Sequence, residues 1–233
     1  TTPTGGRTSI SFDSAGGRRF SLVTAPEQIA AGVPMPLLLS LHPFVLDPEA
    51  WEAYSGLAAG AAQRGYLTVS PRGSDPGPRW SVPGGLPGGP DDLAFISDLV
   101  DRMESTYCVD TSRVFAAGFS AGAAMSVAIG CQMGARFAAI AASGGSNLTS
   151  LCPDAAPIDS LILHGTADPI APINGSQIIF APPLGLPVAD VVASAAERAG
   201  CDATPATSRF GRTIIRSRYQ HCTTGRRVEY WQM

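Results

Sequence analysis

The chain contains no lysine. All 16 of its basic residues are arginine, scattered along 233 positions, and against 19 acidic residues they leave a formal net charge of -3. No basic run or stripe is present that could neutralise a phosphate backbone or an anionic lipid surface, so neither nucleic acid nor membrane is an expected partner. No apolar stretch approaches the length of a membrane span. Internal repeats, linkers and low-complexity segments are also lacking. Histidine is scarce, with only His42, His164 and His221. No His, Cys and acid cluster has ligand spacing, so no metal or cofactor is implied. The first residue is Thr1, with no initiator methionine and no signal-like apolar segment after it, as in a processed secreted chain or a recombinant fragment.

What is present points to one folded unit. Hydrophobic residues make up 45% of the chain and charged residues 15%, a globular balance. The length suits a single α/β domain over residues 1–233. Five cysteines suggest an oxidising compartment and a secreted, extracellular protein. Cys201 and Cys222 flank a polar, Arg-rich stretch, and a bridge there would contribute about 3 kcal/mol in the chain-entropy model. Cys131 with Cys152 is a second candidate pair, leaving Cys108 unassigned. Two sequons, Asn147-Leu-Thr149 and Asn174-Gly-Ser176, would be surface sites in a glycosylating host.

Strand and helix patterns alternate. Ser9 to Phe12 and Arg19 to Val23 read as a hairpin about Ala15-Gly16-Gly17. Met35 to His42 is a continuous apolar run, expected of a strand buried on both faces. Asp47 is a candidate N-cap with Pro48 at the first helical position, opening a helix through Trp51, Tyr54, Leu57 and Ala61. A short strand over Leu67 to Ser70 precedes a Pro/Gly-rich loop from Pro71 to Pro90. Asp91 to Tyr107 has one apolar helical stripe, and its leading Asp91 and Asp92 are read as cap and dipole partner instead of paired catalytic acids. Further strands are expected at Phe137 to Ala142, Ser160 to Leu163, Thr213 to His221 and Arg226 to Met233. Val188 to Ala199 reads as a helix ended by Gly200. This order implies a mostly parallel sheet with helices on both faces.

The chain's organising stretch runs from Val114 to Ile129. An apolar strand breaks at Gly118-Phe119-Ser120-Ala121-Gly122 and continues at once as an Ala-rich helix. That is a G-x-S-x-G nucleophile elbow, with a serine hydroxyl raised on a strand-to-helix bend. Cβ atoms at 118 and 122 would collide where strand and helix approach. A serine needs a base, and the base needs an orienting carboxylate. In α/β-hydrolases the chain order is Ser, acid, His. Asp168, four residues past the strand ending at His164, fits the acid, with an Asx turn as its bland alternative. Two backbone donors are needed for an oxyanion: Ala121 supplies one, and Phe44 is preferred over His42 for the other, since Pro43 has no N–H. His42 and His164 sit at strand ends, where backbone hydrogen bonding is their expected role. His221 is the one histidine downstream of both Ser120 and Asp168, but it is expected within a strand. It serves only if its ring lies near both. Trp80 is read evenly as a substrate-stacking residue or a pin for its loop.

Four segments carry a resemblance: Gly89-Pro-Asp-Asp-Leu-Ala-Phe-Ile96, Tyr107-Cys-Val-Asp-Thr-Ser-Arg-Val114, Gly118-Phe-Ser-Ala-Gly122 and His164-Gly-Thr-Ala-Asp-Pro169. Together they resemble the secreted esterase family of polyhydroxybutyrate depolymerases and feruloyl or acetylxylan esterases, over nearly the whole chain. The resemblance implies an α/β-hydrolase fold, Ser120 as nucleophile and Asp168 as triad acid. It implies an ester substrate, polymeric in a plant cell-wall polysaccharide or a polyester. In the family the base sits in a Gly-Gly-His-type segment after a strand like Val228 to Met233. That segment is absent here, so the domain reads as lacking its C-terminal part. The family's glycine after the oxyanion-loop histidine is also replaced, by Pro43. The expected function is a serine carboxylic-ester hydrolase acting through an acyl-enzyme. The alternative is a hydrolase-fold binding module without a triad histidine.

Overall fold

The computed structural model describes residues 6–28, 32–74, 77–85, 88–175 and 185–233. Strands β1 (Gly6–Ser14) and β2 (Gly17–Ala25) form the expected hairpin, with Ser14 opposite Gly17. The turn residues Ala15 and Gly16 both take positive φ, 50° and 81°, the twist that a two-residue hairpin needs. Strand β3 (Met35–Leu41) is buried at every residue, as its unbroken apolar run requires. Asp47 caps helix α1 (Pro48–Ser55) by accepting from the Ala50 N–H at 2.8 Å. The helix expected to run on to Ala61 stops at Gly56, whose φ of 62° closes it, and α2 (Leu57–Ala62) starts afresh. Glycine is the residue that makes such a break inexpensive, and the apolar spacing alone does not reveal it.

Next come β4 (Leu67–Pro71), α3 (Asp92–Thr106), β5 (Val109–Phe119) and α4 (Ala121–Gln132), then β6 (Ala139–Ser143), β7 (Asp159–His164) and α5 (Val188–Arg198). The chain closes with β8 (Ala206–Phe210), β9 (Ile214–Arg218) and β10 (Val228–Gln232). The ten strands form one sheet in the order β1-β2-β4-β3-β5-β6-β7-β10-β9-β8. Its middle, β4 to β10, is parallel, and antiparallel hairpins flank it. Strand β8 is exposed along its length and lies in the polar, Arg-rich stretch for which no strand is expected, where neighbouring β9 supplies the order its own sequence does not. The strand expected to reach His221 ends at Arg218.

Side-chain alternation divides the sheet's faces. Leu37, Leu39 and Leu41 point to one face with Val114, Ala116, Ile140 and Ile162, and α3, α4 and α5 cover them with Phe95, Ile96, Leu99, Met125, Ile129 and Val192. Helix α4 is apolar all round and buried from Gly122 to Gly130, the mark of a helix inside the core. On the opposite face α1 reaches β3 and β4: the Trp51 indole donates to Ser40 Oγ at 2.9 Å, and Ser70 Oγ donates to Glu52 at 2.7 Å. Helices therefore lie on both faces. Disulfides join Cys131 to Cys152 and Cys201 to Cys222, tying the ends of α4 and α5 to distant loops, while Cys108 is free and exposed. Among the described residues no helix is long and apolar enough to cross a membrane.

The Asn147 sequon is not a surface site. Its side chain is wholly buried and donates to the carbonyls of Pro172 at 3.2 Å and Leu186 at 2.9 Å. A glycan has no room there. For the second sequon, Ser176 lies outside the described residues.

Candidate active site

Chain order along the sheet reverses between β3 and β5: β4 lies on one side of β3, while β5 and its successors run away on the other. The carboxyl ends of strands at such a switch point are the usual ligand site of open α/β sheets. Ser120 follows β5 and the turn at Pro43–Phe44 follows β3. Topology thus brings both predicted groups to the carboxyl ends of these two neighbouring strands.

Ser120 itself has φ 54° and ψ -119°, a conformation costing a non-glycine residue about 1–3 kcal/mol. The surrounding hydrogen bonds hold it there. Its N–H donates to Ser143 O at 2.9 Å, and its C=O accepts from Ala123 and Ala124 at 2.9 and 3.1 Å. Three glycines make the bend fit. A Cβ on Gly118 would overlap the Gly122 carbonyl, as expected from strand-helix crowding. A Cβ on Gly122 would instead overlap the Leu41 and His42 carbonyls, so that glycine seats the helix against β3. Gly145, at φ 156°, lies against the Ser120 backbone from the far side. The Gly144-Gly145 pair escaped the sequence reading, although two glycines directly after a strand were a signal for it.

Ala121 opens α4, so its N–H lies at the positive end of the helix dipole. Phe44 lies in the turn after β3 with its side chain exposed. Its neighbour Val45 takes φ 62°, a strained value for a β-branched residue.

Of its two sequence readings, Asp168 forms the Asx turn, and it does so with one oxygen. Oδ1 accepts from the Ile170 and Ala171 N–H groups, both at 2.9 Å, an Asx-type turn. Oδ2 lies 3.8 Å from His164 Nε2 and 3.7 Å from where a Gly144 Cβ would stand. Gly144 and Gly145 therefore bridge the short space between this carboxylate and Ser120.

None of the three histidines offers a free ring nitrogen between Ser120 and Asp168. His42 is fully buried; Nδ1 donates to Pro43 O at 2.7 Å, and Nε2 accepts the Gly73 N–H at 2.8 Å. Burial, with the Arg72 charge assisting, lowers its pKa to about 4, so it is neutral. His164 is also fully buried and donates through Nε2 to Ala171 O at 2.7 Å, while Nδ1 has no partner. His221, at φ 50°, pairs with Asp202 at 2.6 Å. It follows the end of β9, antiparallel to β10, and so lies toward the start of β10, whereas His164 pairs with the end of that strand. His221 is at the wrong edge of the sheet, because β9 runs against its parallel neighbours.

Trp80 buries its ring. It is 5% exposed, its indole N–H donates to His42 O at 2.8 Å, and its ring lies 4.7 Å from the His42 ring. Of its two readings the geometry gives loop pin. Asp91 is the expected cap, accepting from Ala94 N–H at 2.9 Å. Asp92 departs from expectation. It is wholly buried, paired with Arg19 Nη2 at 2.6 Å, and accepts the Ser81 N–H at 2.7 Å. Desolvation raises its pKa against these partners. Among the described residues no group of three or more His, Cys, Asp or Glu side chains could hold a metal ion.

No family model matches the chain. It is 30% identical over 165 residues to a probable feruloyl esterase C of Aspergillus niger, covering 68% of this chain and 58% of that protein. It is 31% identical over 172 residues to feruloyl esterase B of Piromyces equi, covering 70% of this chain and 32% of the relative. The chain thus spans less than two thirds of the length of either relative. An acetyl xylan esterase from Aspergillus awamori superposes with a TM-score of 0.72 at 16% identity, over 97% of this chain and 92% of that one. Its likeness is one of fold. By these relatives and this architecture, the chain is a feruloyl esterase-like α/β-hydrolase.

Proposed function

We propose that this protein is a serine carboxylic-ester hydrolase acting through an acyl-enzyme, with residues 1–233 forming its hydrolase domain. Ser120 attacks the ester carbonyl. The N–H groups of Ala121 and Phe44 hold the oxyanion, where a lost donor typically costs 10²–10³ in kcat. Asp168 orients the imidazole that takes the serine proton and returns it to the leaving alcohol, and water then releases the acid. The observation that carries this reading is the strained bend at Ser120, φ 54°, at the sheet's switch point. Strain of this kind persists where the fold over-determines it, and functional sites are where it concentrates.

The base is not one of the three histidines described. Met233 bears on where one could enter: its N–H donates to His164 O at 3.0 Å, and its C=O accepts from Thr166 N–H at 2.8 Å. A histidine delivered just after this residue would stand beside the Asp168 loop. We place the substrate among feruloyl, acetyl and polyhydroxyalkanoate-type esters, free or on a polymer, and the protein outside the cell, which the two disulfides favour.

Hydrolysis of a short-chain nitrophenyl ester by the full-length protein tests the mechanism. Ser120→Ala abolishes it on this reading, and unchanged turnover rejects it. A panel of feruloyl, acetyl and hydroxybutyrate esters then assigns the acyl group. The engagement of every histidine here elsewhere favours one second reading, a binding module on a hydrolase scaffold. Binding of ester-bearing polysaccharide without any turnover by the full-length protein would establish it.

A further inference from the structure

We propose that Pro78–Ser81 is a strap that sets the position of the Phe44 amide, and that Trp80 and Asp92 are positioning residues of the oxyanion hole, a role that rests on the ester-hydrolase reading of Phe44. The turn after β3 has little to hold itself. Pro43 has no N–H, and Val45 is held at φ 62°, where a β-branched residue is unstable without outside ties.

Those ties come from the strap. The Val45 N–H donates to Pro78 O at 3.0 Å. The Trp80 indole donates to His42 O at 2.8 Å, and its ring packs on the His42 ring. That same His42 carbonyl is one a Gly122 Cβ would strike, so it lies directly between the strap and the first turn of α4. Moving Trp80 therefore moves the turn relative to Ala121, the other proposed donor.

The strap's outer end is fastened in the core. The Ser81 N–H donates to Asp92 Oδ2 at 2.7 Å, and Asp92 Oδ1 accepts from Arg19 Nη2 at 2.6 Å. Arg19 also donates to Arg72 O at 3.4 Å, and its guanidinium lies 3.8 Å above the Phe95 ring. Asp92 is 0% exposed and Arg19 6%. A buried pair of this kind strongly penalises the loss of either partner, because the other charge stays behind unpaired. Sheet strand β2, helix α3 and the strap are thereby locked to one another, and the lock ends two residues from Phe44.

Trp80→Phe separates this role from substrate stacking and from plain stability. It keeps an aromatic ring beside His42 but deletes the N–H donor together with part of the indole's volume, and the paired readouts of kcat and exchange at Val45 separate the two effects. In the full-length protein we expect kcat to fall about tenfold to a hundredfold, below the 10²–10³ of a fully lost donor, equally on 4-nitrophenyl acetate and methyl ferulate, with KM unchanged. Amide exchange at Val45 should rise at least tenfold. Both changes are required. Faster exchange with unchanged kcat makes the strap merely structural, lowered kcat with unchanged exchange removes the route through the turn, and a KM effect confined to methyl ferulate returns Trp80 to stacking. Each overturns the proposal. Asp92→Asn, which still accepts from Ser81 but strands Arg19, should reproduce both changes; where it fails to fold, Trp80→Phe decides. If hydrolysis survives Ser120→Ala, the ester-hydrolase reading has failed by itself, and Val45 exchange still reports whether the strap holds the turn.

Discussion

Acid should unfold this protein partly through His42, and His42→Gln should blunt the effect. The imidazole is fully buried, with Nδ1 spent on Pro43 O and Nε2 accepting from Gly73, so a second proton has no water to meet and breaks the Gly73 bond. Its pKa falls from the ordinary 6.5 to about 4. Above pH 6.5 neither the folded nor the unfolded chain holds the extra proton, and the group contributes nothing to pH dependence. Between 6.5 and about 4 the unfolded chain takes up a proton that the folded chain refuses. Stability therefore falls with falling pH, by about 1.4 kcal/mol per pH unit at most. Over the window from 6.5 to about 4 this amounts to about 3 kcal/mol. Glutamine can still accept the Gly73 N–H but does not titrate. Urea unfolding at pH 7.5 and pH 4 measures the difference: the parent chain should lose about 3 kcal/mol more than His42→Gln on acidification. Parallel pH curves for the two proteins would refute the claim that a neutral buried imidazole is required here.

Other consequences are sharper in sign than in size. Ser120→Gly removes the strain at φ 54° and should stabilise the fold by about 1 kcal/mol in thermal unfolding while ending hydrolysis; a lower melting temperature would contradict it. Gly122→Ala should cost at least about 3 kcal/mol, because the new methyl meets backbone carbonyls of Leu41 and His42, which cannot swing aside as a side chain would. A melt within 1 °C of the parent would show that α4 is not seated there. Replacing Cys131 and Cys152 by serine reopens a loop with a sequence separation of 21 and should lower the unfolding free energy by about 3 kcal/mol, read from denaturant midpoints under oxidising conditions.

Much of the proposed site was legible because its signals are local. Two glycines about a serine, between an apolar strand and an unbroken helical run, mark the bend at 120, although only the Gly118 contact is local and Gly122 is required by the distant Leu41 and His42 carbonyls. Asp47 before Pro48, and Ala15-Gly16 between alternating runs, are local throughout. Tertiary assignments fared differently. Nothing near Gly56 in the sequence says that α1 must end there, since the apolar spacing continues through Ala61. The exposed strand β8 has no apolar alternation and exists because β9 pairs with it. His221 looked usable in chain order, yet the reversal of β9 carries it to the far edge of the sheet.

By itself, the order of residues determined where the backbone must turn and which side chains are apolar enough to be covered, since both are settled by neighbours in the chain. What occupies the space around each polar group was decided only when distant segments met. Arg19 and Asp92, 73 residues apart, pair in the core, and Trp80 closes on His42 across 38 residues. The energy of such a pair depends on burial and on a partner brought by the fold. No local pattern encodes either, so Asp92 reads as a dipole partner of its helix and Trp80 evenly as a stacking residue or a loop pin until the sheet is assembled.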